Sequence, residues 1–170
     1  RYTDQKEWVN ELKDRVIVNP DSSVSVCILD TGVNNTHPLL ENILEDEDKH
    51  TFETLWGVDD HNSHGTEMSG IAAYGNLNEY LTTTANVELN HTLASYKILP
   101  PTGDNEVNLW GYITSQAVSE RTIKESGKIH IFSMSVTAND VNGDIPDGTP
   151  SSWSSAIDNE LFNCDTKKLF

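Results

Sequence analysis

An apolar run at residues 24–29, closed by an acid and a glycine, constrains the fold of this chain more than any other feature. The run reads Val-Ser-Val-Cys-Ile-Leu and is followed by Asp-Thr-Gly at positions 30–32. A short apolar segment that ends at a turn is typical of a buried strand in a parallel sheet. Because ligands and catalytic groups collect at the carboxyl ends of such strands, the pattern predicts that Asp30 stands at a functional edge of the sheet.

A second pattern begins at His64, where His-Gly-Thr opens a predicted helix over residues 64–73. Asn62 and Ser63 are residue types that cap helices. Glycines at positions 65 and 70 are expected to let this helix lie close against a strand. An aspartate and a histidine in this order are two of the three members of a serine-protease triad.

Two other chemistries use similar residues. Aspartic proteases also present Asp-Thr-Gly, but they need two such carboxylates, and the sequence holds one copy. A metal site is the second alternative, because histidines and carboxylates crowd together near His64. Its candidate ligands are Asp59, Asp60, His61, His64 and Glu67. The sequence has no His-Glu-x-x-His pattern, so we predict no metal.

Residues 26–33, the His-Pro pair at 37–38 and residues 61–70 closely resemble the subtilisin-like serine peptidases, or subtilases. The resemblance implies that Asp30 is the buried carboxylate that orients the histidine. It implies that His64 is the general base of an Asp-His-Ser triad. The expected activity is therefore hydrolysis of peptide bonds in protein or peptide substrates, without a cofactor.

The resemblance extends to a strand over residues 92–99, a crossover helix over 110–126 and a strand over 129–136. In subtilases the last of these strands ends in a Ser-Leu-Gly-type segment that pairs with the substrate backbone and forms one wall of a pocket. The matching substrate-binding positions here are Ser135, Val136 and Thr137. Thr137 replaces the glycine of the family, a departure that affects the width of the pocket.

Strands that alternate with helices predict an α/β domain, a mostly parallel sheet with helices on both faces. We expect one incomplete subtilisin-like domain over residues 1–170. An opening helix, capped by Thr3 or Asp4, should place Trp8, Leu12 and Val16 on one face. Residues 75–90 and 139–150 are expected to be loops.

The family's oxyanion asparagine and Gly-Thr-Ser nucleophile have no counterpart in residues 1–170. Gly-Thr-Pro-Ser at positions 148–151 imitates the nucleophile motif, but Ser151 and Ser152 are better explained as the cap of a following helix. We therefore expect residues 1–170 to be inactive alone. A non-catalytic peptide-binding module is the alternative function, although the retention of both Asp30 and His64 favours an enzyme.

Composition excludes several classes of partner. With 11 basic and 27 acidic residues, the chain has a net charge of −16, which disfavours nucleic acid. The absence of a long apolar stretch disfavours a membrane span, so we expect a soluble protein, cytoplasmic or secreted.

Residues 41–48 are expected to form a solvated acidic loop or, alternatively, a cation or basic-peptide site. Cys27 is predicted to be a buried free thiol.

Overall fold

A computed structural model describes residues 2–137, 149–162 and 167–170 of the chain. The helices are α1 (Tyr2–Arg15), α2 (His64–Tyr74), α3 (Leu77–Leu81), α4 (Trp110–Lys124) and α5 (Ser152–Phe162). The strands are β1 (Val16–Val18), β2 (Val24–Asp30), β3 (Lys49–Thr51), β4 (Val87–Leu89), β5 (Thr92–Lys97), β6 (Ile129–Ser133) and β7 (Lys168–Leu169).

Strand β2 lies at the centre of a parallel sheet with the order β3-β5-β2-β6-β7. Its side chains alternate between the two faces. Cys27 and Leu29 pack with residues of α4, whereas Val26 packs against a cluster that includes Ala73 and Tyr74 of α2. Because helices cover both faces, the predicted α/β fold is confirmed. Asp30, the last residue of β2, is paired with Lys97 at the end of β5.

Several expected element boundaries are wrong. Residues 75–90 contain α3 and β4 rather than a loop, and β4 pairs in parallel with β1. Val16 therefore belongs to a strand and not to the opening helix, which ends at Arg15. Strands this short have no readable periodicity, and their pairing joins segments about 70 residues apart. Strand β6 ends at Ser133 and β5 at Lys97, each earlier than expected.

The opening helix also differs from the prediction in its start and its buried face. It begins at Tyr2, so Thr3 and Asp4 lie inside it and neither precedes it as a cap. Leu12 is buried as expected, but Trp8 is 54% exposed. The second expected loop, over residues 139–150, lies almost entirely outside the described residues.

The acidic segment 41–48 is not simply a solvated loop. Ile43 and Leu44 are buried in the core, and Asp48 accepts a hydrogen bond from the fully buried Arg121 at 3.1 Å. Glu125 pairs with the same guanidinium. A charged group that deep must be neutralised by partners, and one of them comes from this segment. No pattern in the local sequence predicts the pairing of Asp48 with Arg121.

Cys27 is confirmed as a free thiol with no exposed surface. It packs among apolar side chains between the sheet and α4. Burial raises the pKa of its thiol to about 12. The side chain therefore stays neutral and serves as a small apolar core residue.

Three histidines outside the candidate site should make the stability of the fold depend on pH. Burial is the main reason why the pKa values of His50, His91 and His130 lie below 6.5. In the unfolded chain each histidine takes up a proton near pH 6.5, whereas in the folded chain it does so only at a lower pH. Protonation below pH 6.5 therefore favours the unfolded chain, and the free energy of unfolding decreases on acidification. We expect the free energy of unfolding to fall between about pH 7 and pH 5, by at most about 1.4 kcal/mol per pH unit for each histidine.

Urea unfolding at several pH values measures this dependence. His130→Phe should flatten the profile, because a phenyl ring can keep the stacking on Phe132 without titrating. His64 works in the opposite direction. Its pKa is raised, so its contribution is present below pH 6.5 and is lost as the pH rises through the raised value. A profile of the unaltered protein that rises on acidification would contradict the expectation.

Candidate active site

Asp30 presents a buried carboxylate at the carboxyl end of the central strand. The residue is 1% exposed, and its Oδ1 accepts a hydrogen bond from the backbone N–H of Thr31 at 2.7 Å. The position follows from the sequence, because the apolar run continues as a strand up to Asp30. The turn at Thr31 and Gly32 then carries the chain away from the sheet. A charged group this deep requires a partner.

His64 supplies that partner. It is the first residue of α2, and its Nδ1 lies 2.9 Å from both Oδ1 and Oδ2 of Asp30. The hydrogen bond to Asp30 and the negative charge of that carboxylate raise the pKa of His64. The histidine side chain is 43% exposed while the aspartate is buried. With Nδ1–H directed to the carboxylate, Nε2 of the neutral ring can accept a proton from a group in solvent.

Gly65 allows the strand end and the helix start to meet, and Gly32 leaves room for the backbone of Val58 and Asp59. A Cβ at Gly65 would lie 2.1 Å from the carbonyl oxygen of Gly32. Gly32 has φ +97°, and a Cβ there would lie 2.5 Å from the carbonyl oxygen of Val58. The predicted close approach is therefore present at Gly65. It is absent at Gly70, where an added Cβ would meet nothing within 4 Å.

The start of α2 is capped by Asn62, as predicted, but not by Ser63. The side chain of Ser63 makes no capping hydrogen bond, and its backbone is left-handed with φ +75°. Asn62 Oδ1 accepts from the N–H of His64 at 3.0 Å. The carboxylate of Asp60 accepts from the N–H groups of Ser63 and Thr66. Asp60 is thus a residue that the cap prediction missed, although an acid shortly before a helix is itself a recognised signal.

The residues considered as metal ligands have separate partners. Asp59 pairs with Lys49 at 2.8 Å, and His61 Nδ1 lies 3.2 Å from the carbonyl oxygen of Thr31. Both oxygens of Asp60 accept hydrogen bonds from protein groups. Across residues 2–137, 149–162 and 167–170, no group of three or more His, Cys, Asp or Glu side chains is arranged to hold a metal ion.

The predicted substrate segment follows β6 at the same edge of the sheet. Ser135 and Thr137 are exposed and Val136 is half-buried. Val136 and Thr137 line a cavity of about 260 Å³. The rest of its wall comes mainly from apolar side chains of the β5 end, of the following turn and of helices α4 and α5, which include Ile98, Leu99, Val107, Trp110, Ile113 and Trp153. A hydrophobic side chain fits such a cavity.

Ser151 is a helix cap, as expected. Its Oγ accepts from the N–H of Ser154 at 3.1 Å, directly before α5 begins at Ser152. No hydrogen bond within the described part of the chain joins Ser151 or Ser152 to His64. The capping hydrogen bond gives Ser151 a structural role at the start of α5.

Comparisons with known proteins identify the family and the fold. The model of the subtilase family matches residues 21–169. The chain is similar to the solved structure of a protein named Sphericase, with 24% identity and a TM-score of 0.54 over 82% of this chain and 43% of that one. It is also similar to an S41 psychrophilic protease, with 21% identity and a TM-score of 0.55 over 85% of this chain and 44% of that one. No curated protein sequence matches the chain significantly.

The chain therefore spans less than half the length of these two solved structures. Their likeness concerns the fold, whereas the family match rests on the sequence. Within the described residues, no helix is long and apolar enough to cross a membrane.

Proposed function

This chain belongs to the subtilase family, and we propose that it supplies the aspartate and the histidine of a serine endopeptidase. Asp30 is the orienting carboxylate and His64 is the general base. The nucleophilic serine and the oxyanion donor of this enzyme lie outside residues 1–170. Peptide bonds of protein or peptide substrates are the proposed target.

The contact between His64 Nδ1 and the buried Asp30 carboxylate, at 2.9 Å, carries the proposal. The carboxylate accepts a hydrogen bond from Nδ1–H, without taking that proton, and so selects the tautomer whose Nε2 is free. Nε2 takes the proton of the serine hydroxyl as the serine attacks the peptide carbonyl, and it returns this proton to the leaving amine. The raised pKa of His64 is consistent with stabilisation of the imidazolium that forms in between.

The substrate backbone is proposed to extend along residues 135–137, where main-chain hydrogen bonds add a strand without regard to sequence. The cavity beside Val136 and Thr137 would take an apolar substrate side chain. Asp104 also lines this cavity. Together with the net charge of −16, its carboxylate favours substrates that carry basic residues as well.

Labelling with a serine-directed fluorophosphonate tests the proposal. The reagent is applied to residues 1–170 and to a longer chain that continues through the family's Gly-Thr-Ser. We expect label on the longer chain alone, because the reagent reacts with a serine that a base has activated. His64→Ala should abolish the label. His37→Ala, which removes an exposed histidine outside the triad, is the matched control and should retain it.

Stoichiometric label on residues 1–170 at Ser151 or Ser152 would contradict the assignment of these serines to the helix cap. A longer chain that binds extended peptides but resists labelling would instead support the alternative, a non-catalytic peptide-binding module.

A further inference from the structure

We propose that Asp60 is a positioning residue for His64: its carboxylate ties the segment that carries Asp30 to the start of α2 and thereby holds the imidazole against Asp30. The inference rests on the proposed role of His64 as the general base. Asp60 touches neither ring nor substrate in this arrangement, so it acts through the groups that it binds.

Asp60 accepts five hydrogen bonds from two parts of the chain. Its Oδ1 accepts from the Thr31 hydroxyl at 2.8 Å and from the N–H groups of Asn62 and Ser63, both at 3.0 Å. Its Oδ2 accepts from the N–H of Thr66 at 2.8 Å and from the Thr66 hydroxyl at 2.6 Å. One carboxylate thus binds residues on both sides of His64 in the chain.

Thr31 is the link to the aspartate of the pair. It follows Asp30 directly, and its hydroxyl donates to Asp60 while accepting from the N–H of Gly65 at 3.1 Å. The Asp30 carboxylate and the His64 ring are therefore each one residue away from groups held by the same short network. The helix start cannot slide along the strand end without breaking several of these bonds.

The segment that bears Asp60 is itself held in place. The backbone N–H of Asp60 donates to Asn34 Oδ1 at 3.2 Å. Lys97, which is 1% exposed, donates from Nζ to the carbonyl oxygens of Asp59 at 2.7 Å and Trp56 at 3.2 Å. Lys97 is the residue of β5 that pairs with Asp30. The strand that flanks the aspartate thus also fixes the loop that supports the histidine.

The chemistry of Asp60 matches this role. Its partial burial favours the neutral acid, but hydrogen bonds from Thr66, Asn62 and Thr31 outweigh that effect and place the pKa of Asp60 below its usual value. The ionised carboxylate accepts on both oxygens. An asparagine amide accepts on one side only, because its NH₂ group is a donor. Asp60→Asn must therefore break one of the two sets of bonds while keeping the size of the side chain.

NMR spectroscopy of residues 1–170 tests the proposal without requiring activity. The two readouts are the pKa of His64 and the resonance of the Nδ1 proton in the bond to Asp30. Glu67→Gln is the matched control, because Glu67 lies in the first turn of α2 and raises the pKa of His64 through its charge. We expect both variants to lower the pKa of His64. Only Asp60→Asn should move the Nδ1 proton resonance upfield and accelerate its exchange with water.

The longer, active chain supplies a second readout. Because a misplacement of about 1 Å can cost about 100-fold in rate, Asp60→Asn should lower kcat by about 10- to 100-fold with little change in KM. Glu67→Gln should stay within about twofold of the unaltered enzyme when each is measured at its own pH optimum. An Asp60→Asn variant whose Nδ1 resonance and kcat match those of Glu67→Gln would overturn the proposal.

A milder variant covers the case in which Asp60→Asn does not fold. Thr66→Val removes one hydroxyl donor to Asp60 and should shift the Nδ1 proton resonance in the same direction by a smaller amount. An unchanged resonance in that variant would overturn the positioning role. If Asp60→Asn moves the resonance but the unaltered longer chain does not label with fluorophosphonate, the proposed function fails while the positioning of His64 by Asp60 stands.

Discussion

Replacing His64 by alanine in a chain extended through the proposed nucleophilic serine should lower kcat on the order of a million-fold, the magnitude that the corresponding change has in subtilisin. In the proposed mechanism the imidazole of His64 takes the proton of the nucleophilic serine, and the substitution removes that base. Asp30 lies against Nδ1 of this ring, so the carboxylate has no role of its own once the ring is gone. The measurement is kcat and KM on a chromogenic peptide substrate.

Asp30→Asn provides a graded comparison, since it keeps the volume of the side chain and removes the acceptor that selects the tautomer. A loss on the order of ten-thousand-fold in kcat is expected for such a change. His37→Ala should remain close to the unaltered enzyme. A loss below about tenfold for His64→Ala would show that this histidine is not the general base, because general-base catalysis contributes at least about 100-fold.

Gly65→Ala should lower the free energy of unfolding by about 3 kcal/mol or more, the upper part of the range for overpacking. The added Cβ would lie 2.1 Å from the carbonyl oxygen of Gly32. That atom belongs to the backbone, so it cannot move aside as a flexible side chain would. The helix must shift away from the strand end. We therefore expect the same substitution to weaken the contact between His64 and Asp30, with urea unfolding as the measurement of stability.

Gly70→Ala is the matched control within the same helix. An added Cβ at Gly70 meets nothing within 4 Å, so the substitution should act only through the higher helix propensity of alanine. We expect the free energy of unfolding to increase by about 0.5–1 kcal/mol. The same substitution five positions apart should therefore change stability in opposite directions. Equal effects at the two positions would contradict the close approach of helix and strand at Gly65.

The central parts of the fold could be predicted because their signals are local. The run over residues 24–29 is a buried strand, and His64 begins a helix, as their patterns indicate. Ser151 caps α5 through a hydrogen bond to a residue three positions away. In each case the residues that determine the structure are neighbours in the chain, so the sequence of a short segment is enough to predict the element.

The elements that the prediction missed depend on partners far away in the chain. Strands β1 and β4 have three residues each and exist through their pairing with one another. Asp48 is half-buried, where it supplies a counter-charge to the fully buried Arg121. Asp60 carries carboxylate chemistry that suits a metal ligand equally well, and only its five protein donors identify its role as a cap. The strand pairing, the Arg121 ion pair and the bond from Thr31 to Asp60 have no local signature, whereas the bonds from Asn62, Ser63 and Thr66 to Asp60 are local.

The sequence by itself determined the identity of the two chemical groups, the family and the kind of element that carries each group, because motif, apolar run and capping residues are properties of short segments. The tertiary structure alone decided that Asp30 and His64 meet at 2.9 Å. That distance depends on backbone contact between Gly32 and Gly65, on the carboxylate of Asp60 and on the buried ammonium group of Lys97. These contacts join segments that come together only when burial of the sheet brings the strand ends to one edge.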